Sequence, residues 1–235
     1  MSRMQLFCLT FAGGNASFYD DLEKKIGNTI NIMKIEYSGH GRRHREPFYQ
    51  SFGELADDIY PLIKEKISAE RFSYAIMGYS MGSIAASVIL KKIIDEDEIE
   101  LPRHLFLAAH EPMSRHEMEG ISGNEVDEYV KRRTIQFGDV SDELLYNSTF
   151  WKVYLPIYRA DYGMISRFHF EDLKENISVP TTVFYSETDT PYSVMNGWKR
   201  FYPNIEFIDY EGSHFFIKEH IEEMSKVIRN RLEKK

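Results

Sequence analysis

The chain has 235 residues, of which 43% are hydrophobic and 28% are charged, a composition typical of a soluble globular protein. This length fits one α/β domain, and the composition gives no reason to expect disorder. The formal net charge of −8 argues against nucleic acid as the main partner, because phosphate binding requires a basic face.

Three features of the sequence favour the cytoplasm. No apolar run approaches the roughly 18 to 20 residues that a membrane span requires. The single cysteine, Cys8, cannot form an internal disulfide, which suits a reducing compartment. The first ten residues resemble a strand that enters a turn, not a signal peptide. We therefore expect a cytoplasmic protein with no membrane association.

Short apolar and β-branched runs alternate with longer amphipathic stretches along the chain. The runs predicted to be strands are Leu6–Thr10, Ile30–Tyr37, Tyr74–Met77, His104–Ala109, Thr181–Tyr185 and Ile205–Ile208. The stretches predicted to be helices are Phe18–Ile26, Phe52–Ile67, Ser83–Ile94 and Ile217–Leu232. Strands that alternate with helices form right-handed βαβ units. We therefore predict an α/β fold in one domain, residues 1–235, with a mostly parallel sheet flanked by helices.

One long segment, residues 113–178, interrupts this alternation. It carries no strand signal, although a single crossover helix would be enough to connect its neighbouring strands. Charged and aromatic side chains are mixed along it. We interpret the segment as several short helices that form a lid over the carboxyl edge of the sheet, where open α/β sheets bind ligands. The alternative is that it only lengthens the core.

The sequence Gly78-Tyr79-Ser80-Met81-Gly82 matches the pattern G-x-S-x-G. It follows a predicted strand and precedes a predicted helix, which is the context of the nucleophile turn in α/β hydrolases. Small residues are needed there because neighbouring Cβ atoms would clash, and the helix N-terminus faces the developing negative charge. The pattern predicts the α/β-hydrolase fold with Ser80 as the nucleophile.

A serine nucleophile needs a base, and in this fold the base and its carboxylate follow the serine in the chain. His214 is the best-placed histidine, because it lies between the last predicted strand and the last helix. Asp189 follows the preceding strand and would fix the His214 tautomer. Asp161 and Glu187 remain alternatives for that role.

Two backbone N–H groups are needed to bind the oxyanion of the reaction. One belongs to Met81, the residue after the nucleophile. The other belongs to the turn after the first strand, where we assign Ala12 with Gly13 as the second choice; Gly13 is also a candidate for substrate or carrier binding. Among the remaining histidines, His110 ends a strand at the same edge and is a candidate pocket residue. We give His40, in the loop after the second strand, no specific role.

No metal or nucleotide motif stands out. The histidines are scattered, no Cys pair is present, and no glycine-rich phosphate-binding pattern occurs. We therefore expect no metal and no cofactor, with water as the only co-reactant.

Five short motifs, in order, resemble the type II (editing) thioesterases of nonribosomal peptide and polyketide synthesis, which are related to the medium-chain thioesterase of animal fatty acid synthesis. The motifs are Leu6–Leu9 leading into Ala12-Gly13-Gly14, Tyr37-Ser38-Gly39-His40-Gly41-Arg42 (like P-G-R-G-R), Gly78–Gly82, Arg159-Ala160-Asp161-Tyr162 and Gly212-Ser213-His214-Phe215-Phe216 (like G-G-H-F-F). The similarity extends over nearly the whole chain. Ser38, Thr10 and Ser213 depart from the family pattern in loops.

This resemblance implies that Ser80, Asp189 and His214 form a catalytic triad. It also implies hydrolysis of acyl or aminoacyl thioesters on the phosphopantetheine arm of carrier protein domains, which removes misprimed or stalled groups. Carrier domains are usually acidic, so an acidic enzyme needs a local basic surface to receive one. Arg42 and Arg43 follow the second strand and are candidates for that surface; a solvated run of charges is the alternative. We expect the protein to be a monomer.

Overall fold

The fold is known from a computed structural model, which describes residues 4–70, 72–138 and 140–233. Its centre is a sheet with the strands β1 (Met4–Leu9), β2 (Ile30–Lys34), β3 (Ser73–Tyr79), β4 (His104–Ala108), β5 (Thr181–Tyr185) and β6 (Ile205–Asp209). The strand order is β2-β1-β3-β4-β5-β6, and every neighbouring pair is parallel. The predicted parallel sheet is therefore confirmed.

The central strands are apolar because helices cover both of their faces. All residues of β1, β4 and β5 are buried. Alternate side chains point to opposite faces: Phe7 packs into the core on one side and Cys8 into the core on the other.

The described residues contain the α-helices α1 (Asp20–Ile26), α2 (Phe52–Glu70), α3 (Met81–Glu96), α4 (Asn124–Phe137), α5 (Asp142–Leu145), α6 (Ser148–Ser166), α7 (Tyr192–Met195) and α8 (Ile221–Glu233). The helices α2 and α3 pack together on one face of the sheet, and α1 and α8 pack together on the other. The architecture is that of an α/β hydrolase, as predicted.

Several predicted element boundaries differ from the observed ones, as three examples show. The second strand ends at Lys34, three residues early, because the chain then forms a turn in which His40 N–H donates to Tyr37 O. The helix after the nucleophile begins at Met81, directly after Ser80. The last predicted helix is divided into a 3₁₀ turn, Phe216–Lys218, and α8.

The segment 113–178, which we call the insertion, contains α4, α5 and α6 and joins β4 to β5. Two of these helices are longer than the short helices predicted, since α4 has 14 residues and α6 has 19. The two long helices pack against each other and add Val130, Tyr158 and Tyr162 to the core. Within the described residues, no helix is long and apolar enough to cross a membrane.

Candidate active site

Ser80 lies on a sharp turn between β3 and α3. Its φ of 53° and ψ of −119° are strained for a residue with a side chain. The turn is anchored because Ser80 N–H donates to Ala108 O at 2.7 Å. A Cβ atom at Gly78 would overlap the backbone of Gly82, and one at Gly82 would overlap the backbone of Leu9. Only glycine fits at either position, which explains the G-x-S-x-G spacing.

The structure brings the three residues predicted for the triad into contact. His214 Nε2 lies 2.9 Å from Ser80 Oγ. His214 Nδ1 lies 2.9 Å and 3.1 Å from the two carboxylate oxygens of Asp189. Because a carboxylate can only accept, Nδ1 carries the proton and Nε2 is left to accept one from the serine. This arrangement can deprotonate Ser80 as it attacks a carbonyl.

Three side chains hold in place the loop that carries Asp189 and the loop that carries His214. Tyr79 donates from its hydroxyl to His214 O at 2.7 Å. Ser186 and Thr188, in the loop before Asp189, both donate to Gly212 O, at 2.7 and 2.6 Å. The Asp189 loop and the His214 loop are therefore joined directly, which fixes the distance between carboxylate and imidazole.

The two alternatives to Asp189 have other partners. Asp161 Oδ2 accepts from Gly13 N–H at 2.7 Å and contacts His40 Nε2 at 2.9 Å. Glu187 accepts the N–H of Tyr192 at 3.1 Å. Neither carboxylate contacts His214 in the described part of the chain, so the geometry leaves Asp189 as the orienting group.

Of the two expected oxyanion donors, Ala12 lines the space beside Ser80, and Met81 is buried directly after the nucleophile. Among the hydrogen bonds of the described residues, neither Ala12 N–H nor Met81 N–H has an acceptor. Gly13, the second choice for this role, donates its N–H to Asp161 and is covered by the Tyr158 ring. Because the Gly13 N–H is already used, the geometry favours Ala12 over Gly13 as the oxyanion donor.

A cavity of about 320 Å³ adjoins Ser80 and His214. The core contributes Ala12, His110 and Asp189 to its lining, and the insertion contributes Phe137 and Tyr158. The Phe137 ring lies against the His214 imidazole, with ring centroids 4.1 Å apart. The insertion therefore covers the base and forms one wall of the cavity. Burial lowers the pKa of His110, which keeps this neighbour of the site neutral at pH 7.

The cavity wall formed by the insertion is charged. Arg115 is paired with Glu111 and lies 3.4 Å from Glu117. Glu117 also accepts from the hydroxyl of Tyr129, and Arg133 Nε lies 3.9 Å from it. Glu117 has a lowered pKa: its burial raises it, but the Tyr129 hydroxyl and the two arginines outweigh that effect. This network could not be identified from the sequence, because its members are spread over 23 residues with no recognisable spacing.

The two candidate arginines of the carrier surface differ in their surroundings. Arg42 is exposed. The guanidinium of Arg43 lies between Asp58, at 2.6 Å, and Glu46, at 2.5 Å. The charge of Arg43 is therefore compensated within the protein.

The position of His40 could not be inferred from its motif alone. It is 2% exposed and contacts Asp161, 121 residues further along the chain. Both residues lie in motifs that resemble those of the thioesterase family, but the two motifs are far apart in the sequence. Their contact could be predicted only if it were known that the loop after β2 packs against the helix α6.

The fold and the site together define the α/β-hydrolase class of enzymes. The family model of the thioesterase domain matches residues 4–234. The chain therefore belongs to the thioesterase family and is a serine hydrolase.

Two relatives agree with this assignment, and a solved structure shares the fold. The medium-chain S-acyl fatty acid synthase thioesterase of Rattus norvegicus is 26% identical over 202 residues, which span 83% of this chain and 74% of that protein. The gramicidin S biosynthesis protein GrsT of Aneurinibacillus migulanus is 23% identical over 95% of this chain and 86% of its own length. The crystal structure of ClbQ from the colibactin NRPS/PKS pathway shares the fold, with a TM-score of 0.85 at 21% identity over 99% of this chain and 98% of that one.

Proposed function

We propose that this protein is a stand-alone thioesterase that releases acyl or aminoacyl groups from the phosphopantetheine arm of carrier proteins. The observation that carries the proposal is the contact of Ser80 Oγ with His214 Nε2 at 2.9 Å, with Asp189 on the other ring nitrogen. The similarity to GrsT, a gramicidin S biosynthesis protein, supports a role in a synthase pathway. The role we infer is editing, in which misprimed or stalled groups are removed.

The proposed reaction proceeds through an acyl-enzyme. Ser80 Oγ attacks the thioester carbonyl carbon while His214 Nε2 takes the hydroxyl proton. The N–H groups of Ala12 and Met81 bind the oxyanion, which collapses as the C–S bond breaks and the thiolate takes the proton from His214. Water then attacks the Ser80 ester with His214 as the base, and the free acid leaves. Water is the only co-reactant in this scheme, and no cofactor or metal takes part.

The lining of the cavity favours short or polar acyl groups. A long alkyl chain against Arg115, Glu117 and Arg133 would remove water from charged groups without replacing its hydrogen bonds. An acetyl group leaves these charges hydrated, and an aminoacyl group offers them a polar partner. We therefore propose that acetyl and small aminoacyl thioesters are better substrates than medium-chain fatty acyl thioesters.

We propose that the partner is an acidic acyl or peptidyl carrier protein. The enzyme binds it as a monomer. Of the two candidate residues, Arg42 offers an exposed charge, whereas Arg43 is paired with Asp58 and Glu46. Charge reversal of Arg42 should then weaken turnover of a carrier-bound thioester more than turnover of a soluble one. An equal loss on both substrates would show that Arg42 does not receive the carrier.

The proposed function is tested by mass spectrometry on carrier protein loaded with acetyl or aminoacyl groups. We expect fast loss of the acyl mass with the wild type and none above background with Ser80→Ala. Hydrolysis of p-nitrophenyl esters without deacylation of any carrier would instead identify a small-molecule carboxylesterase that uses the same three residues.

A further inference from the structure

A buried histidine–carboxylate pair lies behind the turn that follows β1. His40 is 2% exposed and Asp161 is 1% exposed. His40 comes from the loop after β2, and Asp161 comes from α6 of the insertion. Asp161 Oδ2 accepts the N–H of Gly13 at 2.7 Å and contacts His40 Nε2 at 2.9 Å. Three distant parts of the chain therefore meet at one carboxylate oxygen.

The hydrogen bonds of His40 determine its charge. Its Nδ1 lies 3.0 Å from Ser38 O, a carbonyl that can only accept. Its Nε2 faces Asp161 Oδ2, which already accepts from Gly13. With Asp161 as a carboxylate, both ring nitrogens face acceptors, so both carry a proton and His40 is an imidazolium.

The pKa of His40 agrees with this geometry. Burial by itself lowers the pKa, but the Asp161 carboxylate, the Ser38 carbonyl and the Glu36 carboxylate outweigh it and raise the pKa above its ordinary value. Besides Asp161 and Glu36, the ring is faced edge-on by Tyr37, with centroids 5.7 Å apart. Burial raises the pKa of Tyr37 well above its ordinary value, so Tyr37 stays neutral while His40 titrates. Loss of the His40 proton would leave Asp161 and Glu36 without this cation.

The pair acts on the turn that carries the oxyanion donor. Gly14 N–H donates to Phe11 O at 3.0 Å, which closes a four-residue turn with Ala12 and Gly13 at its centre. The N–H that Asp161 accepts belongs to the peptide between Ala12 and Gly13, so this bond opposes a flip of that peptide. The Tyr158 ring, also from α6, packs over Gly13. Asp161 and Tyr158 therefore tie the turn that carries the Ala12 N–H to α6.

We propose that His40 and Asp161 are positioning residues of the thioesterase reaction: the protonated pair holds the turn so that Ala12 N–H faces the oxyanion, and loss of the His40 proton at alkaline pH releases it. This inference rests on the proposed roles of Ser80 and Ala12. Neither His40 nor Asp161 touches the reacting atoms.

The protonation state is measured first, on the wild-type protein, by ¹⁵N NMR of the histidine rings, with His40→Arg used to assign the His40 signals. We expect His40 to carry protons on both nitrogens at pH 7 and to lose one only at a higher pH. A neutral His40 at pH 7 would overturn the proposal. This measurement is independent of activity.

The effect on the reaction is measured with a soluble acetyl thioester, so that no carrier protein is required. We compare the ratio of kcat at pH 9 to kcat at pH 7 in the wild type, His40→Arg and the matched control His44→Arg, whose histidine is exposed on the same loop. The ratio should fall well below one in the wild type and the control and stay near one in His40→Arg, because arginine remains charged. A flat wild-type profile up to pH 10, or the same fall in all three proteins, would overturn the release at alkaline pH.

Asp161→Asn gives the second activity test. We expect kcat to fall by about 10- to 100-fold at pH 7 with KM within about twofold, since a misplaced oxyanion donor affects the transition state more than substrate binding. A rise in KM alone would contradict a positioning role. If the wild type hydrolysed no thioester, the proposed function would fail instead, and the NMR result would still stand.

Discussion

At the scale of single residues, two carboxylates that the sequence left in competition have separate tasks. Asp189 contacts the imidazole of His214, and Asp161 contacts the turn that carries Ala12. Neither contact could be derived from the number of residues that separates the two partners in the sequence. The two aspartates should therefore respond differently to the same substitution.

Asp189→Asn should lower kcat by about three to four orders of magnitude, because an amide at this position favours the wrong His214 tautomer. The loss should greatly exceed that of Asp161→Asn. Steady-state kinetics on a soluble thioester at pH 7 measure both. Similar losses in the two variants would contradict the division of roles.

Gly13→Ala should lower the free energy of unfolding by more than the same change at Gly138. Both glycines have a φ of 78°, but a Cβ atom would overlap the Tyr158 ring at Gly13, whereas nothing lies within 4 Å at Gly138. The shared backbone strain costs about 1–2 kcal/mol, and the overlap at Gly13 adds about 1–3 kcal/mol. Urea denaturation measures both variants; equal losses would mean that Tyr158 moves aside without cost.

At the scale of elements, the insertion does more than cover the sheet. Its helix α4 places Phe137 against His214, and α6 places Tyr158 and Asp161 on the turn after β1. Its charged residues form the far wall of the cavity. The insertion therefore determines both the rigidity of the site and the space left for the acyl group. Movement of α6 away from the core would break the hydrogen bond from Gly13 N–H to Asp161.

Replacing Glu117 and Arg133 together by leucine should shift the acyl preference toward longer chains. The double change keeps the net charge and makes this part of the wall apolar, so an octanoyl chain displaces water from fewer charged groups. The ratio of octanoyl to acetyl turnover should rise about tenfold, the effect of roughly two methylene groups. Arg132→Leu, an exposed change on the same helix, is the control and should leave the ratio unchanged. An unchanged ratio in the double variant would show that the acyl chain does not reach this wall.

At the scale of the whole molecule, two buried histidines make stability depend on pH in opposite directions. The pKa of His40 is raised on folding, so its contribution is present below its ordinary pKa and is lost as pH rises through the folded value. Burial lowers the pKa of His104 to about 4, so its contribution is present above its ordinary pKa and is lost as pH falls toward 4. Stability should therefore be greatest near neutral pH.

His104→Gln should make the free energy of unfolding depend less on pH on the acid side. Between about pH 6.5 and 4 the unfolded chain binds a proton at His104 that the folded chain does not, an effect of about 3 kcal/mol over the whole range. Urea denaturation at several pH values compares the slope of the wild type with that of the variant. The exposed His44→Gln serves as the control. Parallel slopes in wild type and His104→Gln would contradict a neutral buried His104.

The sequence by itself determined the local features of this protein. Strands such as Thr181–Tyr185 were predicted within a few residues because burial on both faces requires a continuous apolar run. The turn at Ser80 was identifiable because its glycines satisfy a steric requirement between neighbouring residues. Asp189 and His214 were located by their order after particular strands, since parallel strands bring their carboxyl ends to one edge.

Only the tertiary structure decided which distant residues meet. The partners of Asp161, namely Gly13 and His40, lie 148 and 121 residues away from it. The charged wall of the cavity likewise depends on how α4 packs over the loop that follows β4. Such contacts are set by the packing of whole helices and have no period or spacing in the sequence. For the same reason the charge of His40 follows from its two acceptors, Ser38 O and Asp161, and not from its neighbours in the chain.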